Sequence, residues 1–138
     1  GMRTLAARIK RHEKNALKVA EWLKGRQEVV DLRHPAFPSC PGHDNWKRDF
    51  SGSSGLFSVL LKKGSDDAVA ALIDGLELFA LGASWGGYES LVLRTQLTRS
   101  VTDWRPDTPC VRFHIGLEDP EDLIKDLSAG LDRYKAAI

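Results

Sequence analysis

Apolar residues recur along this chain in two periods, and the switches between them mark the elements. Over residues 3–25, Leu5, Ile9, His12, Ala16, Ala20 and Leu23 follow at steps of 4, 3, 4, 4 and 3. That spacing keeps one face of a long helix, and Gly25 supplies its stop. The run Glu28 to Arg33 reads as a short strand. His34 to Gly42 holds three prolines and reads as a loop. Asp44 to Phe50 fits a short helical turn, broken by Gly52-Ser53-Ser54-Gly55. Leu56 to Lys62 is a strand by composition. Ser65 followed by Asp66 and Asp67 predicts an N-cap and an acidic first turn, with Val69, Leu72, Ile73 and Leu76 on the inner face. Leu78 to Leu81 is a further short strand, and Ser90 to Arg94 is extended. Cys110 to Ile115 alternates as a strand does, placing Val111, Phe113 and Ile115 on one side and Arg112 and His114 on the other. Asp119, with Pro120 at the first helical position, caps a last helix whose face is Ile124, Leu127, Leu131, Tyr134 and Ile138.

The resulting order is helix, strand, strand, helix, strand, strand, helix. It predicts an α+β fold, an α/β sandwich with a small, mainly antiparallel sheet of about four strands and helices on one face. Composition narrows the function classes. The 138 residues suffice for one domain, residues 1–138, with 1–25 as a leading helix. Hydrophobic residues make up 42% and charged residues 28%, with a net charge of +1, which gives no electrostatic case for nucleic acid or an anionic membrane. No apolar run approaches the roughly 20 residues that cross a bilayer. Charge begins at Arg3, unlike a signal peptide, and Cys40 and Cys110 suit a reduced, cytoplasmic setting. Gly1 before Met2 suggests a piece of a longer chain.

One stretch spells a candidate active site. Gly82-Ala83-Ser84-Trp85-Gly86 fits G-x-S-x-G, and Asp103, Asp107 and His114 follow in the Ser, Asp, His order of serine hydrolases. A nucleophile elbow requires a helix directly after the serine, however, and Gly86-Gly87 followed by the extended Leu91-Val92-Leu93 opposes one. A Gly-rich loop has another use: its exposed amides can hold an anion, and a strand arginine can add a bidentate contact to the same group. Arg112 is the arginine available, either on a solvated sheet face or poised in a cleft. His114 shares its face. Cys40 and His43 have C-x-x-H spacing, but one pair does not make a metal site. His12 reads as a packed histidine, and Trp22, Trp46 and Trp104 as packing residues.

Longer motifs carry a resemblance. "SWGGYESL" at 84–91, "VRFHIGLEDPEDLIKDL" at 111–127, "HP" at 34–35, "WKRDFSGSSGLFSVLLK" at 46–62 and "RTLAARIKRHEKNALKVAEWL" at 3–23 together resemble the C-terminal domain of the PLP-dependent trans-sulfuration enzymes, within them the cystathionine β-lyases. The resemblance implies a large domain, absent here, that binds pyridoxal 5'-phosphate on a lysine, with this smaller domain closing one side of the active site. It implies that Arg112 binds the α-carboxylate of a sulfur amino-acid substrate such as cystathionine. Ser84 and Trp85 would contact that carboxylate and shape the pocket, and Tyr88 and Glu89 would position the loop. The implied reaction cleaves cystathionine to homocysteine, pyruvate and ammonia in a homo-tetrameric enzyme. The family's Ser-x-Thr-Lys motif does not occur in this sequence, so no catalytic, cofactor-binding or metal-binding residue is expected on this chain, and it is not expected to be active alone. The alternative is a non-catalytic binding or oligomerisation module from a truncated gene.

Overall fold

Ser65 and Asp119 set two helix starts as their positions predict. The Ser65 hydroxyl accepts from the Ala68 amide and the Asp119 carboxylate from the Glu121 amide, each satisfying a donor that the first turn leaves open. The computed structural model describes residues 1–96, 100–101 and 108–138. Asp103, Trp104 and Asp107 lie outside the described residues. A short 3₁₀ turn, Met2–Thr4, leads into α1 (Leu5–Lys24). Then come β1 (Val29–Arg33), α2 (His43–Asp49), β2 (Leu56–Leu61), α3 (Asp66–Ile73), β3 (Phe79–Leu81), β4 (Ser90–Thr95), β5 (Cys110–His114) and α4 (Pro120–Ala136).

The described strands form one sheet in the order β1-β2-β5-β4-β3. It has five strands where about four were expected. The additional one is β4, whose Ser90 to Arg94 read only as extended and which enters the sheet by pairing with β5 on one side and β3 on the other. The β1–β2, β2–β5 and β5–β4 pairs are antiparallel, and β3–β4 is parallel. On one face Phe57, Val59, Leu61, Val92, Val111 and Phe113 join Ala16, Val19, Ala20 and Leu23 of α1, Val69 and Leu72 of α3, and Leu127, Leu131 and Tyr134 of α4 in a single buried cluster. Helices therefore cover one face, as α+β layering demands. The Tyr134 hydroxyl, deep in that layer, donates to the Lys62 carbonyl.

The apolar stripe of α1 differs from its reading. His12, Asn15, Ala16, Val19, Ala20 and Leu23 are buried, while Leu5 and Ile9 are each 38% exposed. The first turns of α1 run past the core, and Arg8 there reaches the 82–89 loop. Asn15 is buried because its amide donates to the carbonyls of Gly116 (3.0 Å) and Glu118 (2.9 Å). Among the described residues, no helix is long and apolar enough to cross a membrane.

Candidate functional site

Neighbouring parallel strands are ordinarily joined by a crossover of about a dozen residues or more, commonly a helix. Here residues 82–89 alone join β3 to β4, so the loop must double back across the sheet. It does so on the face opposite the helices, over β4 and onto β5. Three contacts follow one another along β5 and just beyond it. Arg112 Nη2 donates to the Ala83 carbonyl (2.5 Å), the Gly86 amide donates to His114 Nε2 (3.1 Å), and the Leu117 amide donates to the Tyr88 carbonyl (2.9 Å). Gly86 turns the loop at φ +83°, a conformation that disfavours a side chain. The close approach at the far end depends on Gly116, where a Cβ would lie 2.3 Å from the Tyr88 carbonyl oxygen.

The loop's far end is tied to Glu118. Its carboxylate accepts from the Ser90 amide (2.7 Å) and from the Ser90 hydroxyl (2.8 Å), and that hydroxyl accepts from the Gly116 amide (2.9 Å). From the other side, α1 contributes Arg8, whose Nε donates to the Gly86 carbonyl (3.1 Å), and His12, whose Nε2 stands 2.8 Å from the Gly87 carbonyl. A carbonyl only accepts, so His12 Nε2 carries the proton. An amide only donates, so His114 Nε2 is the bare nitrogen. The two rings meet edge to face, with centroids 4.9 Å apart. Burial lowers the pKa of both rings, and the neighbouring His12 lowers that of His114 further.

Within this frame, Arg112 is half-buried on the open face, between Ser58 of β2 and Leu93 of β4 in register. Ser84 and Trp85 follow Ala83, the loop residue that Arg112 holds. Ser84 is exposed and Trp85 is 64% exposed. Among the described residues, neither of their amides has a hydrogen-bond partner. Guanidinium N–H groups and unpaired backbone amides are both donors from which a carboxylate can accept.

The structure ties Arg112 to the Ala83 carbonyl, the residue that precedes Ser84 and Trp85 in the loop. Tyr88 and Glu89 are exposed, and Tyr88 serves the loop through its backbone carbonyl. The serine-elbow geometry does not form. No helix follows Ser84, and the chain continues from the loop into β4. His114 engages the Gly86 amide and makes no bond to the Ser84 hydroxyl. Sequence reasoning missed the parts played by Arg8, Asn15 and Glu118. Their partners lie 78, 101 and 28 residues away, so no local spacing signals them. His12 and Trp46, read as packing residues, are buried and half-buried, and each also hydrogen-bonds a loop carbonyl, Gly87 and Gly52 respectively.

Known proteins share this sequence and this fold. The family model described as Cys/Met metabolism PLP-dependent enzyme matches residues 1–132. Cystathionine β-lyase MetC of Escherichia coli (strain K12) is 47% identical over 140 residues, covering 96% of this chain and 35% of that protein. The L-alanine/L-glutamate racemase of Wolbachia pipientis wMel is 42% identical, covering 96% of this chain and 34% of that protein. The crystal structure of cystathionine gamma synthase from Xanthomonas oryzae pv. oryzae, in complex with aminoacrylate and cysteine, superposes with a TM-score of 0.87 at 36% identity. That match covers 100% of this chain and 37% of the solved one. The chain spans about a third of the length of the curated relatives it matches.

Proposed function

The chain belongs to the Cys/Met metabolism PLP-dependent enzymes, and from that premise we infer that it is the substrate-closing C-terminal portion of a carbon–sulfur lyase that cleaves cystathionine. Its own task is to hold the α-carboxylate of the amino-acid substrate. One observation carries this reading: the Arg112 guanidinium is committed at one N–H to the Ala83 carbonyl, and the two residues that follow Ala83, Ser84 and Trp85, have unpaired amides among the described residues. The Ala83 contact fixes the plane of the guanidinium, and its remaining donors can take both carboxylate oxygens.

On this reading, no described residue of this chain cradles the cofactor. Every lysine lies exposed on the surface and not in an enclosed site where an aldehyde could be held. Pyridoxal phosphate supplies the electron sink in such enzymes, and on this reading residues beyond this chain hold it. What Arg112, Ser84 and Trp85 add is orientation. A carboxylate fixed at both oxygens leaves the α-carbon little rotational freedom, so the bonds at that carbon keep the angle that elimination requires. Trp85, largely exposed, forms a wall that a bound substrate would cover.

The identity to the racemase favours a second reading in which the same clamp serves proton exchange at the α-carbon instead of C–S cleavage. Both readings need the carboxylate held, and they differ in the product. Pyruvate release from cystathionine by the complete holoenzyme decides between them. The role of Arg112 is tested in the same assay. Arg112→Ala removes a charge-assisted bidentate contact of about 2–4 kcal/mol, which lowers kcat/KM by roughly 30- to 1,000-fold. An unchanged kcat/KM would refute the clamp.

A further inference from the structure

We propose that His114 is a positioning residue for the carboxylate site, fixing the 82–89 loop through the Gly86 amide, with His12 and Arg8 completing the hold from α1. The inference rests on the reading of Arg112 as the carboxylate clamp and deepens it. β5 grips the loop at two points. Arg112 takes the Ala83 carbonyl, and His114, two residues further on the same face, takes the Gly86 amide. Ser84 and Trp85 lie between those two points, so the strand that supplies the guanidinium also sets the position of the amides opposite it. The Gly86 amide belongs to the peptide unit that follows Trp85. Fixing that N–H fixes the plane of the unit and limits how the Trp85 side chain leaves the backbone.

α1 closes the hold. Arg8 takes the Gly86 carbonyl and His12 the Gly87 carbonyl, so the Gly86–Gly87 turn is bound by α1 as well as by β5. The His114 ring has no room to swing. It is 2% exposed, lies edge to face with His12, and backs onto Gly55, where a Cβ would stand 2.9 Å from Nδ1. Among the described residues, His114 Nδ1 has no hydrogen-bond partner. A buried ring with one nitrogen unpaired stabilises the core less than an apolar side chain of the same shape. The gain from a histidine here therefore lies at Nε2, on the loop.

The test uses the full-length holoenzyme and separates KM from kcat. His114→Leu removes the acceptor and is expected to raise KM for cystathionine about tenfold, with kcat changed less than about threefold. His114→Gln, which can offer a carbonyl oxygen near the place of Nε2, is expected to return KM to within about threefold of the parent. A packing role alone would leave KM near the parent value in every variant that folds. If His114→Leu does not fold, His114→Gln and Arg8→Ala carry the test, the latter raising KM about threefold by freeing the Gly86 carbonyl. Unchanged KM in His114→Leu, or a Gln variant no better than Leu, overturns the proposal, as does an Arg8→Ala KM equal to the parent when Leu does not fold. Arg112→Ala runs alongside. If Arg112→Ala also leaves KM unchanged, the clamp itself fails. If it raises KM while His114→Leu does not, the positioning role alone fails.

Discussion

Strands β2, β4 and β5 present Phe57, Val59, Val92, Val111 and Phe113 to the helices, and on their other face Ser58, Leu93, Arg112 and His114. Both sets come from the same stretches of chain in strict alternation, yet they meet different neighbours. The first face packs against three helices and contributes by the apolar area it buries. The second face meets a loop, and Arg112 and His114 are each paired with one backbone group of that loop. On the proposed reading, stability and recognition fall to alternate residues of β5, and substitutions there should separate them.

The largest effect is expected on the covered face. Phe113 lies among Phe57 and Phe79, with ring centroids 5.8 and 5.7 Å away. Phe113→Ala should cost about 3–5 kcal/mol of stability, read from the midpoint of urea unfolding. A loss under about 1 kcal/mol would erase the contrast between the faces. One residue back, Arg112→Ala should weaken substrate recognition by about 2–4 kcal/mol in kcat/KM while moving the urea midpoint little. If stability falls instead and kinetics hold, the division of labour is reversed.

Gly116→Ala probes the seam between the two regions. A Cβ there would crowd the Tyr88 carbonyl, and the loop must shift to admit it. The expected cost is about 1–3 kcal/mol, with KM rising as the loop moves. A variant with parent stability and parent KM would show that the loop does not need this approach.

Acid should weaken the fold through His12, His34 and His114, whose pKa values are lowered chiefly by burial. Folding favours the neutral form of these rings, whereas the unfolded chain takes up protons near the ordinary histidine value of 6.5. Their contribution is therefore fully present above that pH and is lost as pH falls below it. The urea midpoint at pH 5.5 should lie below that at pH 7.5, and an equal or higher midpoint would contradict the burial of neutral rings. The smallest effect is expected at Ser84. If the residue contributes its amide, Ser84→Ala keeps kcat/KM within about threefold and the parent fails to label with a fluorophosphonate probe. A loss of several orders of magnitude would revive the nucleophile reading.

Local signals marked most of the fold, because caps and periodicity are local chemistry. Ser65 and Asp119 start α3 and α4 where their side chains predict, and Arg112 and His114 share a face as alternation requires. The shortfalls are long-range. Nothing in Phe79-Ala80-Leu81 reveals that β4 is its parallel neighbour, since Ala80 and Leu81 are exposed and the pairing is held by backbone groups. Leu5 and Ile9 match the apolar period of α1, but the core ends before reaching them. At the site, the motif residues were legible and their supports were not. Asn15 looks polar and surface-bound until the Gly116 and Glu118 carbonyls are placed against it. His12 looks like packing until the Gly87 carbonyl arrives from the other half of the chain.

The central claim, that Arg112 recognises an α-carboxylate, is tested most directly by removing the group from each side in turn. Binding constants of an S-alkyl cysteine, and of the S-alkyl cysteamine that lacks only the carboxylate, would be measured on the parent holoenzyme and on Arg112→Ala. The account predicts that the parent prefers the cysteine by roughly 30- to 1,000-fold and that the variant loses nearly all of that preference. Equal preference in parent and variant would mean that the carboxylate is held elsewhere, and the account of this site would fail.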